Sequence, residues 1–298
     1  MTSEPPYNSV VTEADLLAKL TRDLHRRNLF TGNGIIEGIG DDCAIFRQPG
    51  SREDLLFTAD QMHQDRHFIA ASKPAHVGHQ ALARSLSDIA AMGGRPLFAL
   101  LSLAVPAGVS KWIDGFYKGF LDLAGRHNVI LAGGDLSSTE RISCDVIVCG
   151  AVPRGRALLR SKAKPGDTIY VSGPLGAAAL ALARGKPHLA RPQLALAGTL
   201  HAAGVRCAID LSDGLSADLP RICLASSVSA EITSVPVARG AGLEQALHGG
   251  EDYQLLFTSR KPVPIATPIG RILAGPAGHV SYQSQPLPAR GWDHFQNQ

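Results

Sequence analysis

Seven aspartates stand in short phrases flanked by glycine or serine: G-I-G-D-D at 38–42, T-A-D at 58–60, S-D-I-A-A-M-G-G at 87–94, G-G-D at 133–135 and D-L-S-D-G at 210–214. Carboxylates repel one another, so a fold that gathers them needs cations, and oxygen-only ligands favour hard Mg²⁺ over zinc or copper. Three of the phrases follow apolar runs of strand type, at 55–57, 129–132 and 207–209. Their carboxylates are therefore expected where a strand ends, the position at which open α/β sheets bind ligands. The recurrence points to one shared site.

At 298 residues the chain can bury a substantial core and form two domains, with ~150 residues per domain as a soft prior. A composition 45% hydrophobic and 18% charged is that of an ordinary folded soluble protein. The net charge of +3, without any Lys/Arg-rich run, argues against nucleic acid as a partner. The first ten residues lack the basic segment and apolar run of a secretory signal. The longest nearly apolar stretch, 97–109, contains Pro106 and is too short to span a bilayer. The five cysteines form no C-x-x-C pair and have no histidine at zinc-finger spacing, so they are expected as core thiols in a reducing cytoplasm.

Helix and strand signals alternate. Thr12 with Asp15 makes a capping pattern before Leu16, Leu17, Leu20 and Leu24, which share a helix face. Strands are expected at 43–46 and 55–58, followed by a helix starting at Pro74, running through Leu82, Leu86 and Ile89, and stopping at Gly93 and Gly94. This helix carries Asp88 near its end. Residues 97–105 and 142–148 read as further strands around a helix capped by Ser110. A boundary is expected at 153–156, after which come a strand at 168–171, an Ala/Leu-rich helix, a strand at 207–209, a helix after Gly214 and a strand at 253–258. The fold class is therefore α/β or α+β. Residues 185–192 and 285–291 read as surface connections.

There is no G-x-x-x-x-G-K-[ST] and no G-x-G-x-x-G. Gly-rich loops still allow close backbone approach to phosphate, and carboxylates, Mg²⁺ and such loops together describe nucleotide phosphoryl transfer. Acidic residues at strand ends also cap helices and close turns, so spacing alone leaves both readings open.

The phrases G-I-G-D-D-C-A, S-D-I-A-A-M-G, G-G-D, G-R-A-L-L-R-S-K-A-K-P-G-D, A-I-D-L-S-D-G-L, G-G-E-D-Y-Q-L-L-F-T and the terminal G-W-D-H-F, in this order, resemble the thiamine-monophosphate kinase family of the aminoimidazole-ribonucleotide-synthetase-like superfamily. The resemblance implies a two-domain fold. Residues 1–152 would form an N-terminal ATP- and Mg²⁺-binding domain that makes a dimeric β-barrel with its partner. Residues 153–298 would form a C-terminal α/β domain completing the nucleotide and substrate site. It also implies a cytoplasmic homodimer that transfers phosphate from ATP to thiamine monophosphate, giving thiamine diphosphate. By the same likeness, Asp42, Thr58, Ala59, Asp60, Asp88, Asp135, Asp210 and Asp213 match Mg²⁺-contacting positions. Gly134, Asp135, Arg160 and Ser212 match ATP-contacting positions, and His67, Glu251 and Trp292 match thiamine-contacting ones. Asp41 is expected to be structural or to stand behind the metal ligands. Ala59, Asp65, Ser85 and Leu136 depart from the family's usual residues without removing any of these carboxylates.

The attacking group in such a reaction is a phosphate oxygen with a second pKa of roughly 6, already ionised at neutral pH, so no residue is assigned as general base. Two other readings are a sister ATP-dependent enzyme with a different acceptor and a non-catalytic sensor of thiamine phosphates or nucleotide. The Trp292 and Glu251 phrases argue against the first, and the intact set of mutually repelling acids argues against the second. An indole face attracts a cationic thiazolium by about 0.5–2 kcal/mol. Trp292→Ala should therefore raise KM for thiamine monophosphate by roughly 2- to 30-fold and leave KM for ATP nearly unchanged. Equal effects in steady-state kinetics would make Trp292 structural.

Overall fold

The structure is a computed structural model that describes residues 12–292, and the aspartate, histidine and phenylalanine of the terminal G-W-D-H-F phrase lie outside them. The first half builds a six-stranded sheet from β1 (Ile35–Glu37), β2 (Ala44–Phe46), β3 (Glu53–His63), β4 (Arg95–Val105), β5 (Ile130–Ser138) and β6 (Ser143–Pro153), in the order β1-β2-β3-β6-β4-β5. Only the β4–β5 pair is parallel. The second half builds a seven-stranded sheet from β7 (Thr168–Val171), β8 (Cys207–Asp210), β9 (Ser229–Ile232), β10 (Leu255–Ser259), β11 (Thr267–Leu273), β12 (Val280–Tyr282) and β13 (Gln285–Pro286), in the order β13-β12-β9-β11-β7-β10-β8. The molecule is thus mixed α/β with two sheets.

Among the described residues seven α-helices accompany the sheets: α1 (Glu13–Arg26), α2 (Pro74–Ala91), α3 (Ser110–Arg126), α4 (Ala177–Ala183), α5 (Ala197–Ala202), α6 (Leu215–Ala225) and α7 (Leu243–His248). The central one is α2. Proline at its first position supplies the helical φ without wasting a donor, and Gly93 at φ +68° ends the helix in the left-handed conformation. Leu82, Leu86 and Ile89 pack into the core of the first sheet. Ala90 and Ala91 pack with Tyr170, Ala208, Leu255 and Phe257 of the second. The last turn of α2 therefore lies in the seam between the sheets. On its other side α3 comes within backbone contact, because a Cβ on Gly119 would overlap the Ala75 carbonyl and one on Gly78 the Phe116 carbonyl.

Several sequence expectations change. The T-A-D and G-G-D phrases do not end strands; Asp60 and Asp135 lie within β3 and β5, which run on for several polar residues because their neighbours supply a full ladder. Ser110 is the first helical residue rather than a side-chain cap. The capping box Thr12/Asp15 forms, yet no residue of α1 is buried. Cys43 precedes its strand and Tyr253 precedes β10. Strands β1, β9 and β11 to β13 were not expected: β1 and β9 are short, and β11 contains Pro268 and Gly270, which a register shift between them accommodates. All five cysteines are buried free thiols. Among the described residues no helix is long and apolar enough to cross a membrane.

Candidate active site

Three carboxylates meet in the seam. Asp42 comes from the G-I-G-D-D loop before β2, Asp88 from the last turn of α2 and Asp210 from the final position of β8, and one oxygen of each lies within 4.8 Å of the others. Asp60 on β3 borders the group and contributes to the field on Asp88. The Thr58 hydroxyl donates to Asp88 Oδ2. Asp42 Oδ2, Asp60 Oδ2 and Asp210 Oδ2 are buried without a hydrogen-bond partner. Burial, reinforced by Asp60, Asp210 and Asp42, pushes the Asp88 carboxyl well above the usual carboxylate range, with the Thr58 hydrogen bond opposing. Asp210 is pushed the same way, by burial and then by Asp42. An all-oxygen donor set with bare, buried, mutually repelling atoms fits a hard divalent cation.

Two arginine clamps shape the edges. Arg160, at the start of a 3-10 turn (Arg160–Lys162), donates from Nη2 to Asp42 Oδ1 at 2.6 Å, and its backbone N–H donates to Asp41 Oδ2 at 2.9 Å. Asp41 accepts the Asp42 N–H through its other oxygen; burial and the Asp42 charge push it up to about 7. Arg221 on α6 donates to Asp213 Oδ2 and to Asp218 Oδ1, each at 2.6 Å. Asp213 is therefore committed to an arginine and stands outside the three-carboxylate group. The sequence reading passed over Arg221 and Asp218. Their i, i+3 spacing on a helix directly after D-L-S-D-G was the available signal.

The 211–213 segment is a hub for the second half of the site. Glu251 N–H donates to the Ser212 carbonyl at 2.7 Å, Tyr253 N–H to that of Leu211 at 2.9 Å, and Trp292 N–H to that of Asp213 at 3.1 Å. The G-G-E-D-Y loop holds Glu251 and Tyr253 at φ +63° and +51°, which is costly for non-glycine residues and persists only where the surroundings enforce it. Asp252 anchors that loop by accepting the Gly176 and Ala178 N–H groups. Ser212, Asp213, Glu251 and Trp292 are thus drawn together, and Trp292 remains 40% exposed. His67 lies in the turn after β3, where its Nδ1 accepts the His63 N–H at 3.0 Å.

Arg84, also missed, lies one helical turn before Asp88, and its Nη1 donates to Glu251 Oε1 at 3.1 Å. Burial works against its charge, but Tyr253 and the carboxylates of Asp60, Glu251 and Asp88 outweigh this and hold its pKa above the ordinary arginine value. No local pattern marks it, because an arginine among apolar helix residues reads as surface.

A cleft of about 810 Å³ opens beside Asp42, lined by Gly38 to Asp42, Thr58, Ala59, Arg160 and the Leu29–Phe30 turn after α1. A second cavity of about 450 Å³ is lined by Leu101, Tyr117, Gly133, Gly134 and Asp135. Gly134 must be glycine, since at φ +150° a Cβ would overlap the Leu101 carbonyl. Within one chain the ladder runs Asp60 to Val146 to Leu101 to Gly134. Three strand spacings put Gly134 and Asp135 about 14 Å along the sheet from Asp60, too far to share an ion with it.

Residues 40–152 match the family described as AIR synthase related protein, N-terminal domain. The chain is 36% identical over 299 residues to the thiamine-monophosphate kinase of Escherichia coli K12, covering 87% of this chain and 91% of that one. The chain belongs to the thiamine-monophosphate kinase family. Another family member, from Bacillus subtilis, is 36% identical over 279 residues, with 83% of each chain covered. The solved structure of AaThiL complexed with AMPPCP and TMP superposes with a TM-score of 0.85 at 27% identity, covering 98% of this chain and 100% of that one.

A carboxyl whose pKa is raised by folding stabilises the fold below its unfolded value, and that contribution is lost as pH rises through the raised value. Asp88 and Asp210 act in this sense, as do Asp41 and Asp218, each pushed to about 7 chiefly by burial, from an ordinary 3.8. Without metal, this member of the thiamine-monophosphate kinase family should lose thermal stability as pH rises from about 4 through about 7 and above. Mg²⁺ at neutral pH should restore it. Asp88→Asn should melt at or above wild type in EDTA at pH 8 and show a smaller Mg²⁺-dependent gain. An undiminished gain in calorimetry would remove Asp88 from the metal site.

Proposed function

We propose that the protein is an ATP-dependent kinase that converts thiamine monophosphate to thiamine diphosphate. The observation that carries this reading is the meeting of Asp42, Asp88 and Asp210 from three separate elements in the seam, in a chain of this family. In the proposed reaction a phosphate oxygen of thiamine monophosphate attacks the γ-phosphorus of ATP. A new P–O bond forms as the bond to the β,γ-bridging oxygen breaks, and ADP leaves with that electron pair. The acceptor oxygen needs no base, since its second pKa is roughly 6.

Asp42, Asp88 and Asp210, with Asp60 and Thr58 beside them, would hold Mg²⁺; Ala59 offers only its backbone oxygen. Bound there, Mg²⁺ supplies the positive charge that lets two phosphate groups approach. Arg160, already buried against Asp42, is assigned to ATP phosphate, and Ser212 to the same nucleotide. His67, Glu251 and Trp292 are assigned to the thiamine end. Asp213 is assigned to metal through the oxygen that Arg221 leaves free.

The active form proposed is a homodimer with a cytoplasmic location, each subunit divided near residue 153. Among the described residues no strand pairs with the outer edge of β5, which exposes Ile130 and Leu136 at 65% and 58%. Strand β2 covers β3 only up to Phe57, so among the described residues the segment of β3 carrying Thr58 to Asp60 has an unpaired edge too. Unpaired edges of this length are normally covered. A second copy laying β5 along that segment would close a barrel and bring Gly134 and Asp135 of the partner subunit to the first copy's carboxylates.

A coupled assay with Mg²⁺-ATP should yield ADP and thiamine diphosphate in equal amounts from thiamine monophosphate, and neither in EDTA or with unphosphorylated thiamine. Direct transfer requires inversion at a chiral γ-phosphate; ADP without thiamine diphosphate would leave the sister-enzyme reading. For the dimer, Asp88→Asn and Asp135→Asn should each be inactive alone. When unfolded together and refolded they should recover about a quarter of wild-type activity, because one site in four regains a complete set. No recovery would mean that each chain supplies its own Asp135.

A further inference from the structure

We propose that Arg84 binds the phosphate of the acceptor substrate, an inference that rests on the thiamine monophosphate reading above. Arg84 and Asp88 are i and i+4 on α2, so they share a face, one helical turn apart. Asp88 points into the carboxylate group and Arg84 reaches across the seam to Glu251 of the second half. Arg84 thus stands between the carboxylates assigned to metal and the loop assigned to thiamine. The acceptor phosphate must occupy that interval. It is attached to the thiamine end on one side, and its attacking oxygen must come within about 3–3.5 Å of the γ-phosphorus on the other.

The side chain's bonding state agrees. Its relative exposure is 13%, comparable with the 18% of Arg160, so both guanidinium groups are largely desolvated. Arg160 is hydrogen-bonded to Asp42 and ion-paired with Asp41, whereas among the described residues Arg84 has one hydrogen bond, Nη1 to Glu251; the Nε of each is buried without a hydrogen-bond partner, but Arg84 has no other guanidinium nitrogen engaged there. A buried, charged donor left bare is costly, and one facing a reaction centre is the natural partner of an anionic ligand. Guanidinium has the fork geometry for phosphate, and a second cation at the acceptor complements the Arg160 charge on the donor side. Glu251 fixes one corner of that fork and leaves the rest to the substrate.

The test compares two ligands that differ only in the phosphate. Binding of thiamine monophosphate and of unphosphorylated thiamine to the full-length protein, with Mg²⁺ and a non-hydrolysable ATP analogue present, is measured by calorimetry for wild type, Arg84→Gln and Arg84→Lys. Arg84→Gln is expected to weaken thiamine monophosphate by about 10- to 100-fold, the usual range for a hydrogen bond to a charged group, with thiamine changed by less than about twofold. Arg84→Lys keeps the charge and loses the fork, so it should fall between; if Arg84→Gln does not fold, a loss confined to thiamine monophosphate in Arg84→Lys carries the same result. Equal weakening of both ligands would show that Arg84 acts only by holding Glu251, and unchanged affinity for thiamine monophosphate would remove it from the site; either overturns the inference alone. A wild-type protein that binds no thiamine monophosphate would overturn the kinase reading and this inference together.

Discussion

Electrostatic repulsion in a buried seam is the constraint to which the rest of this structure answers. Asp42, Asp88 and Asp210 crowd into one small volume, and Asp42 and Asp210 each keep a buried oxygen without a hydrogen-bond partner. No fold tolerates that without nearby positive charge. The protein supplies part of it: Arg160 against Asp42, Arg84 beside Asp60 and Asp88, and Arg221 drawing Asp213 aside. What remains unbalanced is the space for cations and phosphates. The arginines also explain why the seam holds together before any ligand arrives, since each ties the G-I-G-D-D loop, helix α2 or the D-L-S-D-G loop to another element.

Helix α2 makes the crowding possible. Its apolar face packs on the first sheet, its small last turn of Ala90 and Ala91 allows the second sheet to come close, and Asp88 is carried into the gap. Opposite it, the 211–213 segment receives backbone hydrogen bonds from both the Glu251 loop and Trp292. Two left-handed non-glycine residues in that loop are held by these bonds and by Asp252, so strain at the substrate side is secured by rigid neighbours. The division of labour follows: the first half and the end of β8 present the three meeting carboxylates, and the second half presents Glu251 and Trp292, two of the three groups assigned to thiamine.

One part of the assigned site stands apart in a single chain. The ladder fixes Gly134 and Asp135 three strands from Asp60, and among the described residues part of β3 and the outer edge of β5 have no pairing strand. The proposed second copy answers both facts at once, covering exposed apolar edge residues and completing the acidic set.

Much of this was legible in the sequence. The acidic phrases named the carboxylates, Pro74 and Gly93 bracketed α2, and the alternation of apolar runs gave the mixed α/β class, because all three signals are local: capping chemistry, left-handed glycine and side-chain periodicity. Local signals failed where pairing overrides propensity, as when β3 and β5 run straight through Asp60 and Asp135, or when β11 forms around Pro268 and Gly270. Only the tertiary structure decided which carboxylates meet, that Asp213 turns to Arg221, and that Arg84, without any motif of its own, faces Glu251 across the seam. Those outcomes depend on the distance between residues remote in the chain, which packing and strand register set and no local pattern encodes.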